Sequence, residues 1–401
     1  MTQPVAGQPR CLPLDGVRVL DMTRLLPGNF ATLLLSGLGA DVIKIEEVRG
    51  GDGIRHMYRT GDHNESGGHV VLNRGKRSAA IDLKTSAGRE AMLDLVGSAH
   101  VLIDSFRPGV LDRLGLTAEA LKTSNPQLVH VSINAFGATG PYTAIPAHDL
   151  NSAGYAGALG LVAGADGALA MPAIQSADLA AGLHAALAVL AGLRVAERDG
   201  ASYHADVAMT DSIATLLPLT VSAHASTAKS PPVPDLLTGA LACYGMYKCA
   251  DGQWLTVGGL EAKFFGRMVE LMGTPELALD QYNPLGQEAL RARLASEFGK
   301  RPRDEWMKLL AGEDTCVGPV LTIEQALQEP HFVERGIITQ ARFRDGTLTP
   351  VFKSVPWVVG GDDGLQAPEL GEHTEAVLSE AGLSPERIAE LRQLGIVGPA
   401  S

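Results

Sequence analysis

Two titratable residues stand out for the chemistry their types allow: His148, in the run AHDLN, and Asp178, in QSADLAAG. An imidazole and a carboxyl are side chains much used to take a proton and return it, and imidazole is readily found in either form near neutral pH. Each also has a plainer reading. Asp178, at the head of a long apolar stretch, suits a helix N-cap, as does Asp149, and a lone histidine is commonly a hydrogen-bonded structural group. Glu261, at the start of a second helical stretch, suits the helix dipole. Arg74, Lys76 and Arg77 in NRGKRS, with Arg107 in FRPG, concentrate positive charge; alone, NRGKRS reads equally as a solvated turn. His184 reads as core packing and Cys316 as structural, with nothing nearby in sequence to lower its pKa.

Other chemistries find no support. There is no GxxxxGK[ST] loop, no GxGxxG after Met22, no HExxH and no GxSxG. The four cysteines form no CxxC pair and the histidines show no metal-ligand spacing, so neither a zinc site nor a disulfide framework is expected. A cofactor-free enzyme in a reducing cytoplasm is the economical expectation. A net charge of −12 repels nucleic acid and anionic membranes, so an anionic ligand needs a local basic pocket. The first residues lack the pattern of a signal peptide, and the most apolar run, 179–193, is short of the roughly 20 residues that span a bilayer.

The elements that must position these residues follow from hydrophobic period. VRVLDM, a helical NFATLLLSGLGAD and DVIKIE make a βαβ unit, and SAAIDL, HVLIDS and LVHVSIN continue the rhythm. An α/β fold with a mainly parallel, Rossmann-like sheet is expected. A long helix starts near Asp178, with Leu179, Leu183, Leu187, Leu190 and Leu193 at helical spacing. SYHADVAM reads as a strand and TDSIATLLPL as a helix. A large domain over 1–226, a proline-rich linker over 227–240, a small α+β domain over 241–335 and a C-terminal segment over 336–401 complete the division. The last helix, SPERIAELRQLG, has Ser384 and Pro385 in good N-terminal positions.

In order, PLDGVRVLDMTRLLPG, LLSGLGADVIKIE, RGKRSAAIDLKTSAGRE, VLIDSFRPGVLDRLGL, NPQLVHVSINAFGATGPY and AHDLN resemble the family III CoA-transferases, the group that includes carnitine and bile-acid CoA-transferases. The resemblance runs on through QSADLAAG, YKCADGQWLTVGGLE and CVGPVLTIEQALQEPHFVERG, covering nearly the whole chain. It implies an acyl-CoA substrate, CoA being part of that substrate, and an interlocked homodimer whose large domain joins N- and C-terminal parts of the chain. Within the superfamily both branches carry the aspartate that falls on Asp178. One branch uses it as a nucleophile to move CoA between carboxylates; the other, to which α-methylacyl-CoA racemase belongs, inverts an α-carbon.

His148, at a position where transferases commonly have Tyr, and Glu261, in VGGLEAKFF, resemble the racemase branch. The resemblance then implies His148 and Asp178 as paired catalytic bases, Glu261 as the group that orients His148, and Arg74, Lys76, Arg77 and Arg107 as phosphate contacts. Backbone N–H groups at the start of the helix after Asp178 are the expected enolate donors. Two features depart from the pattern. IKIEEV puts Glu47 where relatives have Arg, which implies either the loss of an adenine-stacking or phosphate contact or its replacement by Arg49, and QSADLAAG lacks the glycines of a GDFGGG-like segment, which keeps the transferase alternative open.

Overall fold

The computed structural model describes residues 12–59, 63, 65–162, 168–229, 234–358 and 364–398. The N-terminal tail up to Cys11, and Pro231 and Pro232 of the linker, lie outside them.

The apolar, β-branched runs form the expected sheet. β1 (Arg18–Met22), β2 (Asp41–Glu46), β3 (Arg77–Ala80), β4 (Val101–Asp104), β5 (Val129–Asn134) and β6 (Tyr203–Ala208) pair in the order β3-β2-β1-β4-β5-β6, every pairing parallel. That is the doubly wound order, whose direction reverses between β1 and β4, and the crevice outside the carboxyl ends at that reversal is where such sheets take ligands. Helices cover both faces, so β1 and β4 are buried nearly throughout and read as continuous apolar runs rather than alternating ones. Leu20, Leu102, Met92 and Leu95 are fully buried in the core on one face.

Two helices face the site. α1 (Leu25–Gly37) follows β1, and α3 (Ser176–Asp199) follows the short α2 (Asp149–Tyr155). α3 starts two residues before Asp178 and runs for 24 residues, longer than the apolar run alone indicates. By length and composition it could cross a membrane. Its face toward α1 and the sheet is made of small residues, Ala177, Ala180, Ala181, Gly182, Ala185, Ala186, Val189 and Gly192, all buried. A Cβ at Gly182 would stand 2.8 Å from the Pro27 carbonyl oxygen and 2.9 Å from the Phe30 ring, so only glycine permits this crossing. The leucines fall on the other side: Leu183, Leu187 and Leu190 are 54%, 62% and 38% exposed. Leucine spacing marks the helix, while close packing gives its buried face to the smaller residues.

The chain divides into two units. The larger comprises Met1–Ala158, Pro172–Leu216 and Pro330–Ser401; the smaller, Leu159–Met171 and Leu217–Glu329. The chain therefore leaves the larger unit at Leu216, after the helix Met209–Ala214, ahead of the proline-rich segment that marks the break in the sequence. TDSIATLLPL is accordingly split between that helix and a second, Pro218–Thr227. The smaller unit carries an antiparallel sheet of β7 (Tyr244–Lys248), β8 (Trp254–Gly258) and β9 (Val317–Pro319), packed on a core that includes Phe265, Phe298 and Trp306. In the larger unit the returning segment adds β10 (Ile338–Arg342), β11 (Leu348–Phe352) and β12 (Leu365–Gln366) as a separate small sheet. The segment also closes the β3 edge, where His373 N–H donates to Ser78 O (2.8 Å) and Gly398 N–H to Ala80 O (3.0 Å). Ser384 caps the last helix, Pro385–Gln393, by accepting from Arg387 N–H.

Candidate active site

His148 and Asp178 line one cavity of about 570 Å³ in the larger unit, together with Arg24, Arg107, Phe106, Asn134, Asn151 and Met209. His148 is the exposed N-cap of α2, with extended backbone, and its N–H donates to Asn151 Oδ1 (3.1 Å). The loop leading to it is fastened by aromatic rings: Phe136 and Tyr142 meet Tyr155 of α2 with centroids 5.0 and 5.3 Å apart. Asp178 is in the first turn of α3, but it does not cap the helix. Asp149 does that from α2, its Oδ1 accepting from Ala177 N–H (2.7 Å) and Asp178 N–H (3.1 Å). One carboxylate thus joins the helix that carries His148 to the helix that carries Asp178.

This arrangement has two consequences. Burial, reinforced by the Asp149 charge, pushes the Asp178 carboxyl up to about 7. The N–H groups expected to hold an enolate at the start of α3 are also taken, because Asp149 occupies those of Ala177 and Asp178. For those two groups the expectation is corrected: the sequence does not reveal that a residue 28 positions upstream of Ala177 accepts from them.

The β1–α1 turn supplies Arg24, a residue that neither type nor spacing singles out in the sequence. Its N–H donates to Ser105 Oγ (2.8 Å) and its guanidinium lies 5.6 Å from the Phe106 ring centroid. Leu25 has φ of +59°, a strained conformation for a bulky side chain. Hydrogen bonds hold it there: its N–H donates to Asp52 Oδ1 (3.1 Å) and its carbonyl accepts from Asn29 Nδ2 (2.6 Å). Beneath the turn, Lys44 Nζ pairs with Asp52 (2.9 Å) and donates to Asn29 Oδ1 (2.7 Å). Burial pushes the Asp52 carboxyl up, but the Lys44 charge and hydrogen bonds outweigh it and hold the group down at about 2.

Lys76 belongs to the same buried network. Its Nζ donates to Thr32 Oγ1 (2.7 Å), Asn73 Oδ1 (2.8 Å), Asn29 O (3.1 Å) and Asp21 Oδ2 (3.4 Å), and burial drives its ammonium down to about 7. Arg74 is 1% exposed and donates to the carbonyls of Val71 and Phe352. Arg77 lies across Asp41 (2.6 Å) and Glu380 (2.8 Å), tying β3 to the C-terminal segment. The expected phosphate contacts at Arg74 and Lys76 are thereby corrected: enclosed by protein groups, they brace the turn and the β3 edge. Arg77 is held by the same kind of internal pairing.

Of the four basic candidates only Arg107 lines the cavity, where it is exposed. Its loop is fixed by Asp104, buried at the end of β4. Asp104 Oδ1 accepts from Phe106 N–H (2.9 Å), and Oδ2 accepts from Ser132 Oγ (2.8 Å) and meets His130 Nε2 (2.8 Å). Glu261 belongs to the smaller unit, where it is the exposed N-cap of the helix Ala262–Leu271. Among the described residues no group of three His, Cys, Asp or Glu could hold a metal ion.

Together these features define a doubly wound α/β protein with a ligand cavity at the carboxyl end of its sheet, holding an acid, an imidazole and two arginines. Residues 14–374 match CoA-transferase family III, and the chain belongs to that family. It is 31% identical over 390 residues to α-methylacyl-CoA racemase of Mus musculus, covering 96% of this chain and 97% of that protein. It is 30% identical over 390 residues to acetyl-CoA:oxalate CoA-transferase of Acetobacter aceti, covering 95% and 98%. Among solved structures, a CAIB/BAIF family protein from Brucella suis superposes with a TM-score of 0.81 at 30% identity, covering 93% of this chain and 100% of that one.

Proposed function

We propose that the chain is an isomerase of the α-methylacyl-CoA racemase type, inverting the α-carbon of a 2-methylacyl-CoA through an enolate. The observation that carries this reading is the shared cavity of His148 and Asp178, with the Asp178 carboxyl held near neutrality. A hydrogen α to a thioester is weakly acidic, so inversion needs a base on one face and an acid on the other. A carboxyl with an ordinary pKa is almost wholly ionised at pH 7 and has no proton to return; one raised to about 7 has.

In the proposed cycle neutral His148 takes the α-proton and the C–H electron pair moves into the thioester carbonyl. Protonated Asp178 delivers its proton to the opposite face as the enolate collapses. His148 is left protonated and Asp178 ionised, the starting state for the other enantiomer. No cofactor enters, CoA being part of the substrate. Arg107 and Arg24 are the proposed partners of its phosphates. Glu261 is the proposed orienting group for His148, acting across an interlocked dimer, and the exposed leucines of α3 support such a partner. His148→Ala and Asp178→Ala test the reading directly: each is expected to abolish inversion, and near-full activity in His148→Ala would overturn the two-base cycle.

The CoA-transferases among the relatives favour a second reading, CoA transfer between carboxylic acids through an Asp178 anhydride and thioester. That route uses the ionised form of Asp178, which a carboxyl titrating at about 7 supplies in part at neutral pH. Hydroxylamine inactivation in the presence of an acyl-CoA donor would mark such an intermediate, and its absence would remove the route.

A further inference from the structure

A second cavity, of about 290 Å³, opens at the carboxyl ends of β1 to β4. It is lined by Thr23 and Arg24 after β1, Glu47 after β2, Asp82 and Lys84 after β3, and Phe106 after β4. Arg24 and Phe106 line the catalytic cavity as well, so the two adjoin. With a CoA thioester in the catalytic cavity, the proposed function on which this second site rests, the nucleotide end of that ligand extends past Arg24 into the crevice. That is the usual nucleotide position in a sheet of this order.

The charges in the crevice are unsuited to a phosphorylated ribose. Glu46 and Asp52 are consumed by protein partners, Arg55 (2.6 Å) and Lys44 (2.9 Å). What remains is Arg24 and Lys84 against Glu47 and Asp82. Lys84 Nζ is already paired with Glu47 Oε1 (2.7 Å), and its backbone N–H with Asp82 Oδ1 (3.0 Å). Arg49, exposed two residues beyond Glu47, is not among the lining residues. Glu47 stands immediately after β2, where doubly wound nucleotide sites place an acid to accept hydrogen bonds from ribose hydroxyls, or a nearby arginine to accommodate a ribose phosphate.

We propose that Glu47 makes this crevice a site for a ribose with free hydroxyls, so that the chain takes 3′-dephospho-CoA thioesters at least as well as CoA thioesters. The 3′-phosphate of CoA brings a second negative group against Glu47 and must displace it from Lys84. A free 3′-hydroxyl donates to the same carboxylate and leaves the pair intact. Glu47 thereby discriminates by repulsion as much as by attraction.

The test is calorimetric binding of CoA and of 3′-dephospho-CoA to the full chain, to Glu47→Gln and to Glu47→Arg. The expected wild-type result is a dephospho-CoA Kd equal to or below that of CoA. Glu47→Arg is expected to shift the ratio about 10-fold or more toward CoA, with Glu47→Gln between. A wild type that prefers CoA by about 10-fold overturns the proposal, as does a ratio unmoved by Glu47→Arg. Failure of both ligands to bind would overturn the CoA site itself. A chain that binds both with the expected ratio but catalyses no inversion supports the proposal and loses only the isomerase reading.

Discussion

Replacing Asp178 by Asn should make the protein more stable at pH 8 while abolishing inversion. In the fold, burial and the Asp149 charge raise the carboxyl from its ordinary 3.8 to about 7, so ionising it costs about 4 kcal/mol more there than in the unfolded chain. Because the folded pKa is the higher one, the native state holds the proton where the unfolded state has lost it. The contribution of this group to stability is therefore fully present below pH 4, declines as the pH rises toward 7, and is lost above 7. Asn cannot ionise, and its variant escapes that decline. Water reaching Asp178 from the cavity relieves part of the penalty, so the expected gain at pH 8 is about 1–3 kcal/mol, shrinking toward zero near pH 4. Urea unfolding of both proteins at pH 8 and pH 4.5, with the slope m unchanged, measures it. A difference between the two proteins that is the same at both pH values would refute the assignment of a raised carboxyl pKa.

The basic residues separate by experiment into those that face the cavity and those that brace the fold. Arg107→Ala should raise the KM for a thioester by about 10-fold with unchanged thermal stability, losing a charge-assisted contact. Lys76→Ala should destabilise the fold by about 3–5 kcal/mol, because Asp21 would lose a buried cationic partner; a raised KM without destabilisation would contradict its placement. The paired substitution Leu183→Asp and Leu187→Asp should leave a monomer in sedimentation equilibrium if the exposed leucines of α3 meet a second subunit, and an intact dimer would exclude that face.

Much of the fold is legible in the sequence because its signals are local. Alternating β and helical periods predict the parallel sheet, Ser384 and Pro385 mark the last helix, and the leucine spacing after Asp178 marks the long helix, though not the face it buries. What stays hidden depends on contacts distant in sequence. Strand order is decided by pairings between β1 and β4, some 80 residues apart, of which no single segment carries a trace. NRGKRS looks like a solvated basic turn, yet Arg74 and Lys76 turn inward because Asp21, Asn29 and the Phe352 carbonyl wait for them. Asp149 reads as a helix cap, but not as the cap of another helix. Arg24 draws no notice because its importance comes from the turn that presents it.

The central claim is that a proton leaves and rejoins the α-carbon of a CoA thioester between His148 and Asp178. Incubating one enantiomer of a 2-methylacyl-CoA with the protein in deuterated water tests it most directly. The expected result is uptake of one α-deuterium together with loss of optical purity, both absent in His148→Ala and Asp178→Ala. An α-carbon that keeps its hydrogen and its configuration, while CoA moves to an added carboxylic acid, would contradict the account.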